Sequence, residues 1–449
     1  MFRGQVSILF AASLALASLT VGAQGLPGEI KAREAADAAL GARIDELGSR
    51  IRGGTLNVDC GSGQSVAQAL AAGATRIIVR GNCSESVTID RDDVTLQGEP
   101  GASIHGPDPD VNTVLVTGHR VTVEGLGVGG GRNGIVGVGA SNLTVRNATI
   151  QGTGRIGIVY ISGSSGTIDG CIVQANARDG IVLDASYARL TNNVITGNRN
   201  GVLIVNGGNA AIGLTDRQAA AGNTIDQNTA AGISINLRSI ASIAMNQITR
   251  NGSFGITVFQ ATASIVGGNT ISDNAGVGVS VNGSNVVLGD TGPGLSTVNQ
   301  IIRNGSPGVV AFLGSTMVIR DAQIVGNTGA GVLFSTRSQG QIAGTTIQSN
   351  TSDGIRLVLG SALLPLAPAT SVSANGGFGI QCTDSESSVV NTDSQANPPA
   401  VTVSGNGAGQ VSLSCTTFDQ PVAPPPVPLP GFPPGPVPPA PIPPASIPG

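Results

Sequence analysis

Residues 248–257 read ITRNGSFGIT: an apolar Ile248, then Asn251 three places on, then a Gly255–Ile256 pair. The same gaps return along most of the chain. A Gly followed by Ile or Val stands at Gly134, Gly157, Gly180, Gly201, Gly232, Gly255, Gly278, Gly308, Gly331, Gly354 and Gly379. By subtraction the steps are 23, 23, 21, 31, 23, 23, 30, 23, 23 and 25 residues. An Asn lies four before the Gly at Asn176, Asn228, Asn251, Asn274, Asn304, Asn327, Asn350 and Asn375. An apolar residue lies three before that Asn, so the repeat is N-x-I-x-x-N-x-x-x-G-[IV].

Each unit holds short β-branched runs broken by Gly and Asn, and no helical periodicity crosses the middle of the chain. One such unit cannot bury its own apolar face, whereas stacked units can. The period therefore predicts an all-β parallel β-helix of about 23-residue coils, with equivalent positions about 4.8 Å apart in successive coils. Inward Ile and Val form core columns, and the Asn sits at an inside corner, where its amide bonds the Asn above and below. The Gly is expected to supply a tight or left-handed turn before the next strand. Asn and Gly are then scaffold, not ligands.

This pattern resembles the right-handed parallel β-helix proteins of the pectate-lyase-like superfamily, closest to the repeat of its carbohydrate-binding and sugar-hydrolase group, which includes NosD-like periplasmic proteins. The resemblance covers about residues 55–418. It implies the fold, but the superfamily holds lyases, hydrolases, epimerases, adhesins and non-catalytic binders, so it does not by itself assign an activity.

The flanks differ from the stack. Residues 1–23, MFRGQVSILFAASLALASLTVGA, read as a secretory signal peptide ending at Ala23, so an exported chain, at the cell surface or in the periplasm, is expected. No other stretch is long and apolar enough to span a bilayer. Residues 24–54 form a helical N-terminal segment in which Leu40, Ile44, Leu47 and Ile51 make a short heptad seam, offering either homo-oligomerisation through residues 28–51 or packing on the end of the stack. Residues 65–73, SVAQALAAG, predict a short helix covering the first coil. The β-helix spans 55–419, and residues 420–449 are a Pro-rich tail without a core.

The 449-residue chain has 67 Gly, no Trp and a net charge of −4, which does not favour nucleic-acid binding. Among its five cysteines, Cys60 and Cys83 are one coil apart and are expected to form a disulfide. Cys382 and Cys415 are expected to bridge the C-terminal end, leaving Cys171 as a buried thiol. No metal site and no cofactor are implied.

A polyuronate lyase or epimerase needs a base beside a neutralised carboxylate. The only lysine, Lys31, lies outside the stack, and the histidines are His105 and His119. Asp90, Asp92 and Asp93, and likewise Asp108 and Asp110, read as polar turns. No catalytic set can be assigned.

One feature exceeds what the scaffold requires. Arg132, Arg155, Arg178 and Arg199 stand two before the Gly in four successive units, where later units carry only Ala, Ser or Gly. Stacking would set them in a file near the step of an extended polysaccharide, offering a groove for an acidic glycan, since Arg forks bind carboxylate or sulfate. Asp179 and Asp184 would offset part of the charge, and Tyr160 and Tyr187 lie in the same coils as stacking surfaces or as fillers of the sheet face. The plainer reading is four solvated arginines. Three functions stay open: an exported, non-catalytic binder of acidic polysaccharide, a polyuronate lyase or epimerase, and an adhesin-like spacer. Two long steps carry insertions, in the units of Gly201 and Gly278, that wall a cleft or are merely tolerated.

Overall fold

In the computed structural model, the described residues are 54–216, 219–289, 298–366, 369–391 and 401–417. The expected signal peptide (residues 1–23), the expected helical segment with its heptad seam (residues 24–53) and the Pro-rich residues 420–449 lie outside them.

The chain winds through three strands per coil, as in Leu143–Arg146, Thr149–Gln151 and Ile158–Ile161, before entering the next coil at Ser165–Asp169. Equivalent strands stack into three parallel sheets. The first has 16 strands, from Thr55–Asp59 to Thr416–Thr417; the second and third have 14 each, from Asn82–Ser84 to Val401–Ser404 and from Val87–Ile89 to Gly409–Val411. The register follows the repeat: Ile135 pairs with Ile158, Ile158 with Ile181, Ile181 with Val202, and Val202 with Ile233. The predicted parallel β-helix is therefore the fold.

Alternation along each short strand sends one set of side chains inward. One continuous core results, with Ile150, Ile195, Ile225, Ile248 and Ile271 in a single column at 0% exposure. The corner after the second sheet holds the expected ladder. Asn251 Nδ2 donates to Asn274 Oδ1 at 2.9 Å, Asn228 Nδ2 donates to Asn251 Oδ1 at 3.0 Å, and the chain of bonds runs from Asn176 to Asn406. The corner after the first sheet carries a second ladder, Asn193, Asn223, Asn246, Asn269 and Asn299, the leading Asn of the repeat. The third corner uses serines, with Ser315 N–H donating to Ser338 Oγ and Ser338 N–H to Ser361 Oγ.

The recurring Gly has a different cause from the expected one. Gly255 is not among the positive-φ residues; left-handed backbone falls instead on the residue just before the Asn, such as Arg250 (φ 52) and Arg303 (φ 53). A Cβ on Gly255 would lie 2.5 Å from Ile271 Cγ2, 2.6 Å from the Gly278 carbonyl oxygen and 2.9 Å from Asn274 Nδ2. The Gly is required by close approach of core and backbone, not by a left-handed turn.

The helix Val66–Ala71 buries Val66, Ala69 and Leu70 over the first coil. Ser65 caps it, and Glu85 accepts from the Val66 and Ala67 N–H groups. Cys60–Cys83 and Cys382–Cys415 are disulfides, and Cys171 is free and buried.

Candidate functional site

The turn from the second to the third sheet tucks its Asn inward and leaves the residues between Asn and Gly outside. The Arg178 N–H donates to the Arg155 carbonyl at 2.7 Å, and the Arg199 N–H to the Arg178 carbonyl at 2.5 Å. Beneath them the Gly154 N–H donates to the Gly131 carbonyl, bringing the Arg132 turn directly under that of Arg155. The four arginines do stand in one file along this edge. The file continues as Ala230, Ser253 and Gly276, so the charge ends after four coils.

Its members differ in their surroundings. Arg199 Nε lies 3.3 Å from Asp179 Oδ1, and Asp179, 2% exposed, also accepts from Asn200 Nδ2 at 2.7 Å. Asp179 is thus a buried counter-ion rather than a group that meets a ligand. No carboxylate among the described residues pairs with Arg132, Arg155 or Arg178, whereas Arg120, Arg146, Arg250 and Arg303 each sit on one. Arg132 is exposed; Arg155 and Arg178 are half-buried.

Asp184 ends the strand Ile181–Asp184 and accepts from Asn206 Nδ2 at 2.9 Å. It stands at the opposite edge of the third sheet from Arg178 and does not offset the file. Tyr160 points inward: it is fully buried and its hydroxyl donates to the Leu143 carbonyl at 2.8 Å. Burial first, then the nearby Cys171, holds its phenol protonated far above the usual range. Its ring neither stacks on a sugar nor acts as a base. Tyr187 is half-buried on the first sheet, away from the file.

The sequence reading missed an apolar strip beside the arginines. On the outer face of the third sheet, Leu115, Val136, Val159, Val182 and Leu203 stack in one register column. Ile156, Ile161 and Val138 pack against them. In the next three coils the column becomes Ser234, Thr257 and Ser280. The signal was the residue after each Gly–Ile or Gly–Val pair: Val, Val, Val and Leu in the arginine coils, then Ser, Thr and Ser. Cationic file and apolar strip share the same coils.

Several other polar groups serve the scaffold. Arg120 bridges Asp92 and Asp93, and Asp108 Oδ1 accepts from the Asp110 N–H in a turn. His105 is exposed on the second sheet, while His119 Nδ1 lies 2.9 Å from Ser141 Oγ. Burial pushes the Cys171 thiol up to about 12, so it is inert at neutral pH. Cys60, Cys83 and Glu85 lie together, but both sulfurs are in a disulfide and Glu85 caps the helix. No helix among the described residues is long and apolar enough to cross a membrane.

The family model described as "Right handed beta helix region" matches residues 71–217, 210–339 and 294–393. No curated protein matches in sequence. Among solved structures, the chain is similar to the Azotobacter vinelandii mannuronan C-5 epimerase AlgE6 A-module, at 17% identity and TM-score 0.43, over 85% of this chain and 94% of that one. It is similar to the periplasmic alginate epimerase AlgG at 10% identity and TM-score 0.38, over 82% of each chain. For the pectate lyase Pel9A the values are 13% and 0.30, over 80% of this chain and 79% of that one. Likeness at this level concerns the fold alone.

Proposed function

The chain belongs to the right-handed β-helix family, and on that scaffold we propose an exported, non-catalytic protein that binds an acidic polysaccharide along Arg132, Arg155 and Arg178. The observation that carries this reading is a file of three arginines in successive coils with no carboxylate among the described residues paired to them, beside Arg120, Arg146 and Arg199, which are paired. Two like charges about 5 Å apart in water repel by roughly 0.8 kcal/mol, a cost that an anionic ligand removes. Carboxylates or sulfates spaced one per sugar meet one guanidinium per coil. Two disulfides support an oxidising compartment, in agreement with the signal-like N-terminus. Against a lyase or epimerase stand the buried Tyr160 and Cys171, which leave the arginine coils without a titratable base drawn from either.

The test is retention on immobilised pectate, alginate and a sulfated glycan over a salt gradient. Arg155→Gln/Arg178→Gln should elute at much lower salt than the parent. Arg238→Gln/Arg337→Gln removes the same net charge at exposed positions on another corner and should elute close to the parent. Equal losses from both pairs would reduce the effect to net charge and end the proposal.

A further inference from the structure

The apolar strip on the outer face of the third sheet serves neither the core nor the arginine file. Val136, Val159 and Val182 form its floor, with half-buried Ile156 on one bank and Val138 and Ile161 on the other. Their chain neighbours Ile135, Ile158 and Ile181 belong to the core instead. Among the described residues, the apolar side chains packed on the floor all come from this sheet and its edge. Leu115 and Leu203 close the column at its two ends, so the strip covers five strands. Four steps between strands make it roughly 19 Å long.

The strip opens at its lower end onto a groove of about 880 Å³, lined by Ala67, Leu70, Thr75, Thr88 and Arg91 among others. Thr88 pairs with Leu115, which joins groove and strip. The described chain begins at this groove: the Gly54 carbonyl accepts from the Thr75 N–H at 3.2 Å. Residues 28–51 therefore approach along the groove. Their seam of Leu40, Ile44, Leu47 and Ile51 spans 11 residues by subtraction, or about 16 Å as a helix. Seam and strip match in length and end alike. Before Leu40 come Glu29, Lys31, Arg33, Glu34 and Asp37; beyond Leu203 the column turns to Ser234, Thr257 and Ser280.

The end of the stack offers the segment no comparable place, because Val66, Ala69 and Leu70 of the short helix already cover the first coil. A strip roughly 19 Å by 10 Å, the width of one helix, falls far short of the roughly 800 Å² per partner that a stable dimer needs. A segment tied to the same chain needs much less contact. We infer that residues 28–51 lie as a helix along the outer face of the third sheet, with their seam on Leu115, Val136, Val159, Val182 and Leu203. This inference does not rest on glycan binding.

The experiment attaches a benzophenone maleimide to Ile161→Cys in the full chain, irradiates it and maps the captured peptide by mass spectrometry. The introduced thiol is the reactive one, since four cysteines form disulfides and burial pushes the Cys171 thiol up to about 12. Val138→Cys, on the same bank, replaces it should Ile161→Cys fail to fold. The label should capture residues 28–51 within a monomer. Leu40→Asp/Leu47→Asp should lower that capture by about tenfold or more, the loss of two buried leucines. Ile172→Cys, exposed on the second sheet, should not capture the segment. Capture between two chains, capture of residues 420–449, no capture from either bank position, or capture unchanged by Leu40→Asp/Leu47→Asp would each overturn the inference.

Discussion

Asn251→Ala breaks the inner ladder at mid-stack. Asn251 is 0% exposed. Its Nδ2 donates to Asn274 Oδ1 (2.9 Å) and to the Ile225 carbonyl (3.3 Å). Its Oδ1 accepts from the Asn228 N–H (3.1 Å) and from Asn228 Nδ2 (3.0 Å). With Ala, Asn274 Oδ1 keeps the Asn251 backbone N–H and Asn228 Nδ2 keeps the Ile195 carbonyl. The Asn228 backbone N–H and one of its amide hydrogens have nowhere else to go. At about 1–3 kcal/mol for each buried orphan, the expected loss is about 4 kcal/mol. Ser253→Ala, two residues on in the same turn and half-buried, should stay within about 0.5 kcal/mol. Guanidinium unfolding followed by far-UV circular dichroism gives the free energies, and hydrogen exchange at the Asn228 amide reports the local opening. A loss under about 1 kcal/mol for Asn251→Ala, with Asn228 still protected, would refute the assignment of the ladder as the corner's main polar support.

Gly255→Ala should destabilise by about 1–3 kcal/mol or more through overpacking against Ile271 and the Gly278 backbone. Gly152→Ala, where φ is 63° and a Cβ meets nothing within 4 Å, should cost only about 1–2 kcal/mol of left-handed strain; the reverse ranking in denaturation would contradict the close-approach account. Replacing Cys60 and Cys83 by Ser should lower stability by about 3 kcal/mol for a 23-residue separation, and an unchanged unfolding midpoint would count against it. Arg303 lowers the Asp273 carboxyl, with burial opposing. A depressed folded-state value means that stability is present above the unfolded value of about 3.9 and is lost as pH falls through the folded one. Asp273→Asn should therefore flatten part of the acid limb of the stability profile, and an unaltered limb would remove the pair from the account.

The fold was legible because it is written as a period. Stacked coils impose the same environment at every turn, so Asn251 and its equivalents repeat in sequence as they repeat in space. Both disulfides followed from compartment and position along the stack. The repeated Gly was misread because a residue selected for close approach and one selected for positive φ look alike in sequence; only the neighbouring Ile271 and Asn274 distinguish them. At the site, Arg132, Arg155 and Arg178 were visible as departures from the repeat. That they stand without a paired carboxylate among the described residues, while Arg199 sits on Asp179, was not. The burial of Asp179, the inward turn of Tyr160 and the placing of Asp184 at the far edge all depend on which side of a strand or corner a residue faces.

We propose that an acidic polysaccharide lies along Arg132, Arg155 and Arg178. The direct measurement is calorimetric titration of the full chain with oligogalacturonates of increasing length at low salt. Three arginines one coil apart span about 10 Å, roughly two sugar steps. Affinity should therefore rise up to the trimer, gain little beyond it, and be lost in Arg155→Gln/Arg178→Gln while surviving in Arg238→Gln/Arg337→Gln. Absence of binding at every length, or a length dependence identical in both double variants, would contradict the account.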